Sequence, residues 1–332
     1  MKTFDPAKVK PEGEHAVEMP LMSCAFDPGG RFLFAGGRDR GLVILDLEKK
    51  ETRILTGHES WIGSLARGAD GVVLSADYSG RVIAWDCQGP EPKPRWTIEA
   101  HPATILDLAV SPDGASFATA DRDGLVRIWK TMDGQRIGEL PSIEFPAYGV
   151  ALHPDGQRII TADRQPQKPR IQVWDIATGV ERLSIEVPEL SGYRRVEDIE
   201  WGGIRSLELS PDGRRLVACG RNGYDGAGAA ILYDSASGKQ ERQLVSALKG
   251  GFIYQARFHP DGQLLTAGGD LGKGELQCWD PDKGVSLAKL STSGPGTALD
   301  LHPDGFRIAV ALTTGKGSYP DAGKIALFDG AA

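Results

Sequence analysis

One four-residue pattern returns seven times along the chain and constrains its fold more than any other feature. It is a tight turn ending in glycine: DPGG at Gly30, GADG at Gly71, SPDG at Gly114, HPDG at Gly156, SPDG at Gly213, HPDG at Gly262 and HPDG at Gly305. Where proline is present it presets φ for the second position of a type I turn. Aspartate props the backbone through its side chain, and glycine takes the left-handed position that follows. Such turns join antiparallel strands, and short apolar runs such as ILDLAV and SFATA flank them. Glycine accordingly accounts for 43 of 332 residues, about twice the usual ~7%. So many positions of positive φ argue against a mainly helical protein.

A second signature trails each turn: Leu45-Asp46, Trp85-Asp86, Trp129-Lys130, Trp174-Asp175, Tyr233-Asp234, Trp279-Asp280 and Phe328-Asp329. Each closes an apolar strand such as LVRIW, IQVWD or KIALFD. The endings recur about every 47 residues, the length of one four-stranded propeller blade. Length alone suggests about two domains, but the repeat replaces that estimate with one domain over residues 1–332. The expected fold is all-β: a seven-bladed β-propeller of four-stranded antiparallel blades, ending near residues 46, 86, 130, 175, 234, 280 and 329.

These residues resemble the WD-repeat family of β-propellers over nearly the whole chain, and the regular SPDG and HPDG turns look like its bacterial members. The resemblance implies a buried tetrad in which a His entering the blade, a Ser or Thr on the second strand, an Asp in the next turn and the third-strand Trp are hydrogen-bonded. In blade 3 this assigns His101, Thr119, Asp123 and Trp129. In blade 2 it assigns His58, Ser75 and Trp85, with Ser79 at the expected Asp position, so an incomplete network is expected there. The remaining blades lack the entering His.

After Phe328-Asp329 only Gly330, Ala331 and Ala332 remain, leaving the seventh blade without an outer strand of its own. The upstream segment HAVEMP resembles the outer-strand segment GELP at Gly138 to Pro141. An N-terminal strand at about residues 14–19 is therefore expected to complete blade 7 and close the ring, covering an edge otherwise prone to aggregation.

The net charge of −7 argues against nucleic acid as the default partner, which needs a basic face. No apolar run reaches membrane-spanning length, and the N-terminus lacks the apolar core of a signal peptide, so a cytoplasmic protein with no membrane association is expected. Cys24, Cys87, Cys219 and Cys278 are widely spaced and form no CxxC pair, so they read as small core or near-surface residues. Among the histidines, His153, His259 and His302 begin HPDG turns, His58 and His101 take tetrad positions, and only His15 is unassigned. No metal site and no cofactor are expected. The glycine-rich loops around Lys273 and Lys316 lack phosphate-loop spacing and lead into strands. The loop around Asp225 lacks the oxygen ligands of a calcium site. Asp107, Glu208 and Asp300 on inner strands keep open an alternative, a lactonase- or hydrolase-like propeller enzyme with its site at the central channel.

The most informative surface is the face bearing the turns between second and third strands. Aligning GGRDR, ADYSG, ADRDG, ADRQP and CGRNG places Arg38, Tyr78, Arg122, Arg164 and Arg221 at one repeat position. The residues that start the inner strands add Trp61, Tyr148, Arg205, Phe252 and Tyr254. Tyr, Trp and Arg are enriched at binding hot spots, although a solvated turn also tolerates Arg, and the aromatics could instead pack between blades. An insertion between blades 4 and 5 carries Tyr193, Arg194, Arg195 and Trp201 onto the same face. The expected function is a non-catalytic scaffold, monomeric, that binds a protein or peptide on this face. Nucleic-acid binding through the arginine arc is a second alternative.

Overall fold

The computed structural model describes residues 3–165, 167–194, 199–200, 202–223, 226–270, 272–314 and 321–332. Seven four-stranded antiparallel sheets form a seven-bladed propeller. Blade 1 consists of Leu21–Phe26, Phe32–Gly37, Leu42–Asp46 and Glu51–Leu55, from the channel outward. Blades 2 to 6 repeat that order, with inner strands at Ile62–Arg67, Ile105–Val110, Ala147–Leu152, Ser206–Leu209 and Phe252–Phe258. All seven turn glycines have positive φ, from 67° at Gly156 to 90° at Gly262, the conformation that only glycine adopts without strain.

Blade 7 closes the ring. Its inner three strands are Gly296–Leu301, Arg307–Thr314 and Ala322–Asp329, and its outer strand is the N-terminal segment Lys10–Val17. The register runs from Lys10 opposite Asp329 to Val17 opposite Gly323, with an irregularity between Pro11 and Gly13. The closing strand thus begins earlier than the expected 14–19 and stops at Val17. Met19 and Pro20 already belong to the crossing into blade 1, where Met19 is buried and the Pro20 carbonyl accepts from Arg38 N. Matching HAVEMP to GELP by its terminal proline displaced the expected boundary. Upstream, Phe4 bridges to Ala331 and stacks on His259 at 4.1 Å.

Second and third strands are buried on both faces, as in Phe32–Gly37 and Val72–Asp77, whereas outer strands alternate, as in Glu51–Leu55. The reason is lateral: each blade is sandwiched between two others, so both faces of its middle strands meet apolar side chains. Among the described residues, the buried apolar side chains form seven clusters, each drawn from two neighbouring blades. The seventh interface joins Leu21, Phe26 and Leu33 of blade 1 to Ala309, Ile325 and Leu327 of blade 7. The core is therefore a ring of interfaces around a channel of about 680 Å³.

Candidate functional site

Three polar systems are built on this ring. The first is a pair of buried tetrads. In blade 3, Trp129 Nε1 donates to Thr119 Oγ1 at 2.8 Å, Thr119 Oγ1 lies 2.7 Å from His101 Nε2, and His101 Nδ1 lies 2.8 Å from Asp121 Oδ2. Because the indole N–H occupies the threonine oxygen, the hydroxyl donates to Nε2 and the imidazole proton sits on Nδ1. The acid is Asp121, which corrects the assignment of Asp123. Asp123 is exposed and only its backbone N–H joins the network, donating to Asp121 Oδ1 at 2.9 Å. Asp121 ends the second strand with its side chain pointing inward, while Asp123 lies two residues on, in the turn. Blade 2 is likewise complete. His58 meets Asp77 at 2.9 Å and Ser75 at 2.6 Å, and Trp85 Nε1 donates to Ser75 at 2.8 Å. The expected gap at Ser79 is absent, because Ser79 itself donates to Asp77. Asp77 and Asp121 share an alignment column with Asp163, one residue before the Arg column, and that column was the available signal. In blade 4, where no His enters, Arg170 Nε contacts Asp163 at 3.3 Å instead.

The second system lies on the opposite face. His153, His259 and His302 each reach the turn-glycine carbonyl of the next blade: Gly213 at 3.1 Å, Gly305 at 2.7 Å and Gly30 at 2.7 Å. Their Nδ1 atoms lie against the backbone N–H of Asp155, Asp261 and Asp304 within the same turns. These histidines fasten neighbouring blades together.

The third system lines the channel. Asp107 accepts from Val150 N and Leu108 N, each at 2.9 Å, and from Ser64 Oγ at 3.1 Å. Asp300 accepts from Phe26 N at 2.8 Å and pairs with Arg67 at 3.4 Å. Glu208 pairs with Arg257. Burial pushes the carboxyls of Asp107 and Glu208 above their ordinary range, against Val150 N and Arg257 respectively. Burial opposes the charge on Arg257 too, yet Glu208, Asp300 and Asp107 together raise its pKa. These acids are thus occupied in joining blades and in pairing with arginines that sequence reasoning had not singled out. Among the described residues no group of three or more His, Cys, Asp or Glu is arranged to hold a metal. All four cysteines are buried and unpaired, and burial pushes the Cys87 and Cys278 thiols up to about 12.

The ten residues expected at the partner face gather round the channel mouth. With strand direction alternating through each blade, the turns between second and third strands and the connections entering each blade emerge on one side. The Arg38 guanidinium lies 5.6 Å from the Trp61 ring, and Trp61 is 5.9 Å from Tyr78. Gly63 makes room for that tyrosine, since a Cβ there would stand 2.5 Å from the ring. Arg164 lies 5.1 Å over Tyr148. Arg205 and Arg221 approach Phe252 at 4.8 and 5.6 Å, and Phe252 is 5.4 Å from Tyr254. Burial raises the Tyr78 pKa, aided by Tyr148 and opposed by Arg38, Arg122 and Arg164, which places these groups within electrostatic reach of one another. Tyr254 is raised in the same way by burial and Asp270, against Arg164 and Arg221. Trp61 is 44% exposed, and Arg38 and Arg122 are exposed. Phe252 is buried, and the others are partly buried. In the insertion, Tyr193–Arg194 pairs with Ile199–Glu200. Arg195 and Trp201, like Asp225 and Lys316 elsewhere, lie outside the described residues.

Comparison with known proteins places this geometry. The WD domain, G-beta repeat, matches residues 13–46, 49–86 and 92–130. Each matched segment begins in or just before the outer strand of one blade and ends with the third strand of the next, and the first takes in part of the N-terminal strand that finishes blade 7. Telomerase protein component 1 of Rattus norvegicus is 26% identical over 311 residues, 90% of this chain but 11% of that protein. A guanine nucleotide-binding protein subunit beta of Arabidopsis thaliana is 25% identical over 243 residues, 68% of this chain and 60% of its own length. Actin-interacting protein 1 of Drosophila melanogaster is 24% identical over 258 residues, 76% of this chain and 39% of its own. The chain thus spans about a tenth of the telomerase component. These relatives are eukaryotic, so the likeness to bacterial members finds no support in them. No helix among the described residues is long and apolar enough to cross a membrane. The WD repeat model thus matches three successive segments within residues 13–130 of this seven-bladed propeller, and the proteins similar to the chain include a G-protein beta subunit and a protein named for its interaction with actin.

Proposed function

We propose that the chain is a non-catalytic WD-repeat scaffold, acting in the cytoplasm as a single monomeric domain over residues 1–332, and that it holds a protein or peptide partner on the face around the channel mouth. The observation that carries this reading is the packing of arginines on aromatic rings there, from Arg38 on Trp61 to Arg205 on Phe252. Stacking fixes the guanidinium planes while leaving their donors for a ligand. Among the described residues Arg38 and Arg122 form no ion pair, whereas Arg31, Arg81, Arg127 and Arg215 all do. Arginines of this kind recognise carboxylates, and Trp61 and Tyr78 offer anchoring area.

The test is affinity capture from the native host with the wild-type chain and with the double variant Arg122→Glu, Trp61→Ala. The double variant is expected to lose the specific partner while melting at the wild-type temperature. Equal capture by both would remove this face as the docking surface.

A further inference from the structure

We propose that the channel mouth holds a built seat for a carboxylate, so that the partner presents an acidic side chain of an extended peptide segment to Arg205, flanked by Tyr148 and Tyr254. This rests on the preceding reading of the face and names the chemistry of what it binds.

Tyr148, Arg205 and Tyr254 all line the upper part of the 680 Å³ cavity. Arg205 Nε is shielded from solvent and donates to no acceptor among the described residues. A buried donor without a partner costs about 1–3 kcal/mol, and most such groups in native proteins are paired. The guanidinium is held in place from one side by the Phe252 ring, 4.8 Å away. The hydroxyls of Tyr148 and Tyr254 form no hydrogen bond among the described residues, and burial keeps Tyr254 a protonated donor at neutral pH. Three groups able to donate therefore line one cavity, and no carboxylate among the described residues pairs with any of them.

Charge points the same way. The chain as a whole carries −7, yet the arginines at the repeat position surround this mouth, and the carboxylates deeper in the channel are already bound to Arg67, Arg257 and backbone N–H groups. An anion entering from this face passes arginines interspersed with the exposed Asp39, Asp123 and Asp270 of the same turns, and reaches Arg205 before the acids deeper in the channel. A planar carboxylate fits a guanidinium side-on, and a flexible peptide can deliver one to the narrow mouth while its backbone crosses the exposed rim at Trp61 and Arg122.

The experiment is fluorescence anisotropy with short labelled polyglutamate, polyglutamine and oligothymidylate probes. It uses the wild-type chain, Arg205→Met, which keeps an unbranched stem on Phe252, Arg205→Lys, and the Arg122→Glu, Trp61→Ala variant. The seat predicts binding of polyglutamate over polyglutamine, at least about tenfold weaker in Arg205→Met and intermediate in Arg205→Lys. Arg205→Gln replaces the methionine variant if that one does not fold. Undiminished polyglutamate binding by Arg205→Met, with loss in Arg122→Glu, Trp61→Ala, overturns the seat and leaves the docking face standing. Failure of the wild-type chain to prefer polyglutamate over polyglutamine also overturns it. Tighter, Arg205-dependent binding of oligothymidylate assigns the mouth to phosphate backbones and overturns the peptide reading.

Discussion

Replacing Asp121 with alanine and, separately, Asp123 with alanine separates the acid that holds the blade 3 tetrad from its neighbour in the turn. Asp121 is fully buried, and its carboxylate serves His101 Nδ1 at 2.8 Å and the backbone N–H groups of Asp123 and Leu125 at 2.9 Å each. Truncation strands three donors at once, in a site closed by Trp129 and the neighbouring blade. Removing one member of such a buried set costs about 3–5 kcal/mol. With an unfolding entropy of about 2.1 cal/mol/K per residue, a chain of 332 residues loses about 4–7 °C in melting temperature if it unfolds as one unit. Asp123 is exposed and accepts no hydrogen bond from another described residue, so its truncation costs no more than about 0.5 kcal/mol. Thermal melting followed by circular dichroism, with urea titration as a second measure, reads both variants. Equal destabilisation by the two would refute the assignment, as would a larger effect at Asp123.

Acid should weaken the ring in two stages. Burial holds the His101 imidazole below its usual range against the pull of Asp121. Its contribution is therefore present above the unfolded-state value of about 6.5 and is lost as pH falls through the folded value, a loss that His101→Gln should reduce in melts between neutral and mildly acidic pH. Burial raises the Asp77 carboxyl, but His58, Ser79 and the N–H groups of Arg81 and Glu59 outweigh it and hold it far below the ordinary value. That second contribution is kept above about pH 4 and lost only in stronger acid, and Asp77→Ala should remove it. His302→Ala breaks the 2.7 Å bond to Gly30 that joins blades 7 and 1. It should cost about 1–2 kcal/mol, and a melting temperature unchanged from wild type would show that the bond carries no stability. Deleting residues 1–20 removes Lys10–Val17 and the Phe4 stack on His259. The shortened chain should melt markedly lower or become insoluble, and unchanged melting would contradict closure by this strand.

The fold was legible because it is periodic: the turn glycines and the strand-closing aromatics repeat in phase, and each glycine takes the positive φ that its turn requires. The closing strand was legible only to within a few residues, since an exposed outer strand such as KPEGEHAV has little apolar pattern to fix its register. The tetrad acids were misplaced because a turn offers several aspartates close in sequence. Only the direction of the last side chain of the second strand separates Asp121 from Asp123. The histidine contacts between blades and the Arg67 and Arg257 pairs join residues far apart in sequence, as with Arg67 and Asp300, so no local pattern announces them. The alignment of turns did bring Arg38, Tyr78, Arg122, Arg164 and Arg221 to one face, because in a ring one repeat position becomes one circle.

Hydrogen–deuterium exchange on the chain with and without its recovered partner tests the docking face most directly. Binding round the channel mouth predicts slowed exchange in the segments holding Trp61, Tyr78, Arg122 and Tyr148, with the HPDG turns of the opposite face unchanged. Protection confined to those turns or to the outer strands, with the mouth unaffected, would contradict it.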